Sequence, residues 1–158
     1  MKKESTLDIR IRKLRKEDAT EVSNIIRRCL REVNSKDYPK KAITSLCNFF
    51  TPDLIIKNLG DRTIYVAVED DKVIGTASLK GDKVFTVFVN PDYHGRGVGS
   101  KLMDKVEELA KDKKYKILKV PSGLSSVEFY KHRGYKEVKR VHSKDHGDTI
   151  EMEKRIKW

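Results

Sequence analysis

Apolar and polar residues alternate along Asp8–Lys13, with Ile9 and Ile11 on one side, which is the two-residue period of a half-buried strand. The period then lengthens: Ala19, Val22, Ile25, Ile26, Cys29, Leu30 and Val33 recur at helical spacing, and Asp18 with Glu21 predicts a capping box at the helix start. Tyr38-Pro39 interrupts the pattern, and the short apolar groups Ile43–Phe50 and Leu54–Leu59 predict one or two short helices before residue 58. From Arg62 the period returns to two, with Ile64, Val66 and Val68 on one face, a tight turn at Asp70-Asp71, a strand over Lys72–Lys80 and a second turn at Gly81-Asp82. Lys83–Val89 is apolar on both faces and rich in β-branched and aromatic residues, so it reads as a central strand that completes an antiparallel meander.

A long helix over Val98–Asp112 follows, its apolar positions Val98, Leu102, Val106 and Leu109 stepping by four, four and three. After a short strand at Lys116–Val120, Ser125 with Glu128 predicts a second capping box, for a helix that Gly134 ends in the left-handed conformation. Tyr135–Val141 and Thr149–Ile156 close the chain as a hairpin around the polar turn His142–Asp148. With no repeat and no dividing linker, this order predicts an α+β fold: one domain over residues 1–158, with a mixed, mostly antiparallel sheet of about six to seven strands flanked by helices.

Composition narrows the class. The 158 residues carry 35 Lys+Arg against 24 Asp+Glu, a net charge of +11, and the charged fraction of 37% exceeds the usual roughly 25% of soluble domains. Recurring apolar clusters exclude a disordered tail, and the N-terminal MKKESTLDIR lacks the apolar stretch of a secretory signal. A cytoplasmic location with no membrane partner is expected, and Cys29 and Cys47, which share no ligand spacing, are expected as buried free thiols. The positive surface attracts polyanions, a class that includes nucleic acid and any cofactor with several phosphates.

The candidate chemistry lies between the central strand and the long helix, in Asn90-Pro91-Asp92-Tyr93-His94-Gly95-Arg96-Gly97-Val98-Gly99-Ser100. Three alternate glycines ahead of a helix N-terminus leave successive backbone N–H groups open beside the positive helix pole, which makes a phosphate or pyrophosphate cradle. No Gly-Lys pair occurs, so a Walker-type loop is excluded, and spacings of two and two rather than G-x-G-x-x-G argue against a nicotinamide dinucleotide.

His94-Gly95-Arg96-Gly97-Val98-Gly99 resembles the acetyl-CoA loop of the GNAT acyltransferase superfamily, Gln/Arg-x-x-Gly-x-Gly/Ala. Val87–Tyr93 is similar to that family's fourth strand and its exit, and Glu128–Tyr135 resembles its later FYxxxGF/Y element. The resemblance runs from Ile9 through Ile156 and implies a splay between the fourth and fifth strands. It implies pyrophosphate contacts from His94, Gly95, Arg96, Gly97, Val98, Gly99 and Ser100, and a pantetheine arm added as a pseudo-strand along Val87, Phe88 and Val89, with the Val89 N–H donating to the thioester oxygen. It also implies that Tyr130 protonates the departing CoA thiolate, where spacing alone gives a packed aromatic. Arg96 and Lys101 are candidate phosphate cations.

This chain departs from the family's pattern at several points. His94 stands where Gln or Arg is common, Ser122, Gly123, Ser125 and Ser126 stand near a position often held by Asn, and no acid lies on Lys83–Val89 to serve as a general base, with Glu69 and Asp82 as unassigned substitutes. His142, Asp145, His146 and Asp148 read as a solvated turn rather than a metal cluster, and no metal is expected.

The resulting expectation is an N-acetyltransferase that moves the acetyl group of acetyl-CoA to a small-molecule or peptide amine by direct attack. The acceptor would enter between Ser35–Phe50 and His142–Asp148, with Tyr38, Phe49 and Phe50 as apolar contacts and Asp37, Asp145 and Asp148 as ammonium partners. The alternatives are an inactive CoA-binding sensor or subunit, or a basic nucleic-acid-binding module; nucleic acid is disfavoured as a partner, and a homodimer is compatible with the reading.

Overall fold

The meander forms as the alternation predicts. Strand β2 (Thr63–Glu69) directs Ile64, Val66 and Val68 to one side of the sheet and Tyr65 and Ala67 to the other, and all five are buried because both faces are covered. It pairs antiparallel with β1 (Arg10–Lys13) and with β3 (Lys72–Lys80), which pairs antiparallel with β4 (Lys83–Val89). Asp70 and Asp71 both take positive φ, 50° and 64°, the conformation of a two-residue hairpin turn whose twist matches its strands.

The computed structural model describes residues 8–143 and 147–157, and there the strands β5 (Ile117–Gly123), β6 (Lys136–Val141) and β7 (Thr149–Arg155) complete a seven-stranded sheet in the order β1-β2-β3-β4-β5-β7-β6. All neighbours are antiparallel except β4 and β5, which are parallel and registered at one pair, Lys83 opposite Lys119. Beyond that pair the two strands diverge, which is the expected splay. Strand β5 runs three residues past its predicted end, through Pro121, because it is paired along its length with β7. The Lys119 N–H bonds the Asp82 carbonyl on the β4 side, so two residues later the Pro121 nitrogen also faces that side. There the opened ladder asks for no donor, so a proline fits inside the sheet. Strand β6 is the outer edge, exposed along nearly its whole length and blunted by Lys136, Lys139 and Arg140.

Among the described residues five α-helices cover the two faces. On one side α1 (Ala19–Glu32), α2 (Lys40–Phe49) and α3 (Pro52–Lys57) bury Val22, Ile26, Leu30, Ile43 and Ile55 against β2 and β3. On the other, α4 (Val98–Asp112) and α5 (Val127–His132) pack Leu102, Met103, Val106 and Tyr130 against β3, β4 and β5. Ile26 is 1% exposed, and truncating such a side chain to alanine costs about 2–5 kcal/mol.

Both predicted capping boxes are corrected. A 3-10 turn over Lys16–Asp18 precedes α1, and the Asp18 carboxylate accepts from the Arg15 N–H (2.7 Å) and from both terminal nitrogens of Arg12 (2.7 and 3.1 Å) instead of capping α1. A 3-10 turn over Leu124–Ser126 likewise precedes α5, which has no side-chain cap. In each case the tighter turn carries the chain into the helix: Asp18 keeps the N-cap position of α1 without a cap hydrogen bond, and the N-cap of α5 is Ser126 rather than Ser125. Gly134 ends α5 with φ +94°, as predicted.

Candidate active site

The site grows from a defect in β4. Phe85 faces Ser78 and Phe88 faces Thr76, so Thr86 and Val87 together face Ala77 alone, which is a β-bulge. Thr86 sits at φ +52°, a strained conformation for a β-branched residue, and its hydroxyl is held 2.7 Å from that of Ser78. The bulge resets the alternation. Asn90 donates its N–H to the Ile74 carbonyl (2.8 Å), so Val89, opposite Gly75, turns its own N–H and C=O away from β3 and into the splay. The Val89 carbonyl accepts from the Cys29 thiol (3.0 Å) and lies 2.9 Å from His94 Nε2. Burial pushes the Cys29 thiol up to about 12, so it is a neutral donor rather than a nucleophile.

The glycine-rich turn is clamped from behind. Arg28 on α1 reaches the Asp92 carboxylate (2.9 and 3.1 Å) and Asn90 Oδ1 (3.1 Å), and Asn90 Oδ1 also accepts the Asp92 N–H (2.9 Å). Gly95 and Gly97 both take φ +79°, a conformation that side chains resist, while Gly99 is needed for space: a Cβ there would lie 3.3 Å from the Phe129 ring. Gly97 is the N-cap of α4 and brings no side chain to its first turn, which carries no acid either. The opening N–H groups of a 15-residue helix are thus left without a side-chain acceptor, a geometry suited to an anion.

A cleft of about 510 Å³ runs from this turn into the splay, lined by Val87, Val89, Tyr93, His94, Gly95, Gly97, Val98, Gly99, Ser100, Ser125, Ser126, Phe129 and Tyr130. A second cavity of about 250 Å³ opens on the other side of β4, between α1, α2 and the end of β5. Val87, Ser126 and Tyr130 line both, so the two cavities meet at the Tyr130 ring. Tyr130 is 4% exposed and packs edge-on against Phe129 and Tyr135, at 5.0 and 5.5 Å between ring centroids. Burial raises its phenol well above the ordinary tyrosine value, so the hydroxyl stays protonated.

Not every candidate side chain joins the cleft. The Arg96 guanidinium turns to Glu69 (2.7 Å) and lies over the Tyr93 ring, so Arg96 has its backbone alone in the loop; Lys101 lines a different groove. The same pair occupies Glu69, and Asp82 pairs with Lys119 (3.5 Å), so both unassigned bases are engaged. Phe88, paired with Thr76, lines the second cavity and not the cleft. Of the serines, Ser125 and Ser126 line the cleft, while Ser122 is buried and bonds the Gly123 carbonyl (2.8 Å).

On the acceptor side, Tyr38 and Phe50 line the second cavity but Phe49 is 53% exposed, and Asp148 is bound by Arg140 and His142. Lys144, Asp145 and His146 lie outside the described residues. Sequence reasoning missed the Thr86 bulge, the Cys29 contact and the Arg28 clamp. No residue type announces a bulge made without glycine, and the other two partners lie about sixty positions away.

Residues 34–156 match the profile of the acetyltransferase (GNAT) domain. The chain belongs to the GNAT acetyltransferases. An uncharacterized N-acetyltransferase of Methanocaldococcus jannaschii is 30% identical over 76 residues, 46% of this chain but only 34% of that protein. Peptidyl-lysine N-acetyltransferase YjaB of Salmonella typhimurium is 27% identical over 140 residues, 88% of this chain and 91% of that one. Among solved structures, a GCN5-related N-acetyltransferase from Rhodopseudomonas palustris superposes with a TM-score of 0.83 at 27% identity, over 92% of this chain and 94% of that one. PaiA N-acetyltransferase from Thermoplasma acidophilum, in complex with coenzyme A, shares the fold with a TM-score of 0.77 at 22% identity, over 93% and 98% of the two chains. The seven-stranded mixed sheet with its parallel, splayed β4–β5 pair is thus a GNAT fold, and the GNAT acyltransferase is an enzyme of the transferase class. No described helix is long and apolar enough to cross a membrane.

Proposed function

We propose that this GNAT protein transfers the acetyl group of acetyl-CoA to a primary amine by direct attack, with no covalent enzyme intermediate. The observation that carries the reading is the junction of two cavities at Tyr130: a backbone-lined cleft ending on an uncapped helix, and a side-chain-walled cavity across β4. In this reading the amides from Gly95 to Ser100 take the pyrophosphate, and the pantetheine arm lies along Val87 and Val89 in the splay. The Val89 N–H donates to the thioester oxygen and stabilises the oxyanion that forms on attack. The Val89 carbonyl already has two partners, so the cofactor uses the donor of this residue rather than its acceptor.

Tyr130 is the acid that protonates the departing thiolate, and its raised pKa keeps the proton available throughout the physiological range. His94 holds the loop to the strand end through its ring and contributes its backbone to the cofactor site. The coenzyme A bound by the Thermoplasma protein supports the choice of cofactor, and the peptidyl-lysine activity named for the Salmonella relative supports an amine acceptor. Two free, buried cysteines fit the reducing cytoplasm in which acetyl-CoA is available.

The test is thiol release with acetyl-CoA across a panel of amines and lysine-containing peptides, with the acetylated amine identified as product. Release that requires both substrates supports the reading. Acetyl-CoA binding without transfer to any member of the panel would overturn it.

A further inference from the structure

In a chain with 37% charged residues, the cavity across β4 is walled by uncharged side chains among the described residues. Leu30, Leu46 and Phe50 supply apolar surface, and Asn34, Thr86 and Ser126 supply an amide and two hydroxyls. Of the nearby carboxylates, Asp148 pairs with Arg140 and His142, Asp82 with Lys119 and Glu69 with Arg96, and Asp37, beside Tyr38, is not part of the lining. Tyr38 closes one wall. Its hydroxyl lies 3.0 Å from where a Gly123 Cβ would be, and its ring lies against Gly147, whose φ of +79° and missing side chain make room for it. The cavity volume of about 250 Å³ corresponds to roughly eight water molecules, the size of a short alkyl or aryl arm.

An ammonium entering such a cavity loses its hydration and meets no charged lining side chain among the described residues, and neither does a carboxylate on the same ligand. Resting on the acetyl-transfer reading above, we propose that the acceptor is a primary amine carried on an uncharged arm and bound as the free base. It is a monoamine or the side chain of a lysine within a peptide, not a polyamine and not a free amino acid. The step then balances without a carboxylate base. The lone pair of the neutral nitrogen attacks the acetyl carbon, and the C–S bond breaks with its electron pair leaving on sulfur. Sulfur takes the Tyr130 proton, and the surplus proton on nitrogen restores the phenol. The products are the acetamide and the CoA thiol, with no net proton taken up or released.

The experiment compares kcat/KM for n-butylamine and a lysine blocked at both its α-amino and carboxyl groups with that for 1,4-diaminobutane and free L-lysine. The first pair is expected to exceed the second by at least about tenfold, and butylamine against blocked lysine tells a small acceptor from a peptide one. For the favoured amines kcat/KM should rise about tenfold per pH unit toward the free amine's own pKa of about 10.4, as binding of the free base demands. Asn34→Asp places a carboxylate of the same shape in the cavity wall and should move the diamine-to-monoamine ratio about tenfold toward the diamine. Equal or better use of the diamine or of free lysine by the unaltered protein would overturn the proposal, as would an unchanged ratio in the variant. Transfer from acetyl-CoA to at least one amine of the panel by the unaltered protein, established first, separates this failure from that of the underlying reading, which fails when no amine is acetylated.

Discussion

The cleft on the turn side of Tyr130 and the cavity across β4 share that ring, yet they are made of different material. The cleft ends on main chain, in positive-φ glycines, the open first turn of α4 and the outward-facing peptide of Val89, with Phe129 and Tyr130 along its wall. The cavity is made of side chains drawn from α1, the 34–38 segment, α2, β4, β5 and β7. Main-chain groups are the same in every protein, so a site built from them recognises a ligand common to many enzymes and must be specified by where glycines are allowed. Side-chain walls differ from protein to protein, so the cavity is where selectivity for one acceptor is expressed.

The largest expected effect falls on the shared wall. Tyr130→Phe should lower kcat by about 10² to 10⁴ while acetyl-CoA binding stays nearly constant, because the hydroxyl acts on the leaving thiolate and the ring keeps its packing. Steady-state kinetics beside a binding isotherm reads the two separately, and an equal kcat would return Tyr130 to the core.

Gly97→Val should affect the main-chain side alone. At about 100 times the dissociation constant acetyl-CoA should stabilise the unaltered protein by roughly 2.7 kcal/mol, and a side chain forced onto φ +79° at the head of α4 should abolish that shift in thermal unfolding. A full shift in the variant would mean that the anion binds elsewhere.

Gly147→Ala should affect the side-chain side alone. Its Cβ would fall on the Tyr38 ring, so the wall must move, and KM for the acceptor should rise by about tenfold while affinity for acetyl-CoA holds. A variant that weakened cofactor and acceptor alike would erase the distinction between the two sides.

The smallest effect is in acid. Hydrogen bonds from Arg28 hold the Asp92 carboxyl below its ordinary value of 3.8. The clamp's contribution to stability is therefore present above about pH 4 and is lost as pH falls through the lowered folded value. Thermal unfolding of Arg28→Met and the unaltered protein should differ near neutrality and converge as pH falls below the lowered folded value, where the carboxyl is protonated in both. A constant gap would mean that Arg28 acts through its bond to Asn90 or through packing rather than through Asp92.

The same contrast explains how much of the molecule was legible in advance. The strands and the helices α1, α4 and α5 follow from local periods, which left residues 34–58 as one or two short helices, and even the paired aspartates of the β2–β3 turn mark a tight turn, because these are choices each segment makes with its neighbours in sequence. The turn was legible for the same reason: three glycines within five residues state a main-chain geometry directly. The two capping boxes were misread because a 3-10 turn competes for the same residues, and the winner depends on partners such as Arg12 that pairing with β2 brings alongside.

By itself the sequence determined the elements, their order, the glycine turn at the head of α4, and a charge of +11 that says little about any one site. Tertiary structure alone decided that Thr86 bulges rather than continuing the strand, and that Arg96 pairs with Glu69 instead of facing the cleft. It alone decided that Arg28 and Cys29 reach the end of β4, and that Tyr38 lies between Gly123 and Gly147. Each of these joins residues more than twenty positions apart or resolves a competition between partners of similar strength. Such outcomes are set by which surfaces the whole sheet and its helices bury together, a quantity that no local window of residues contains.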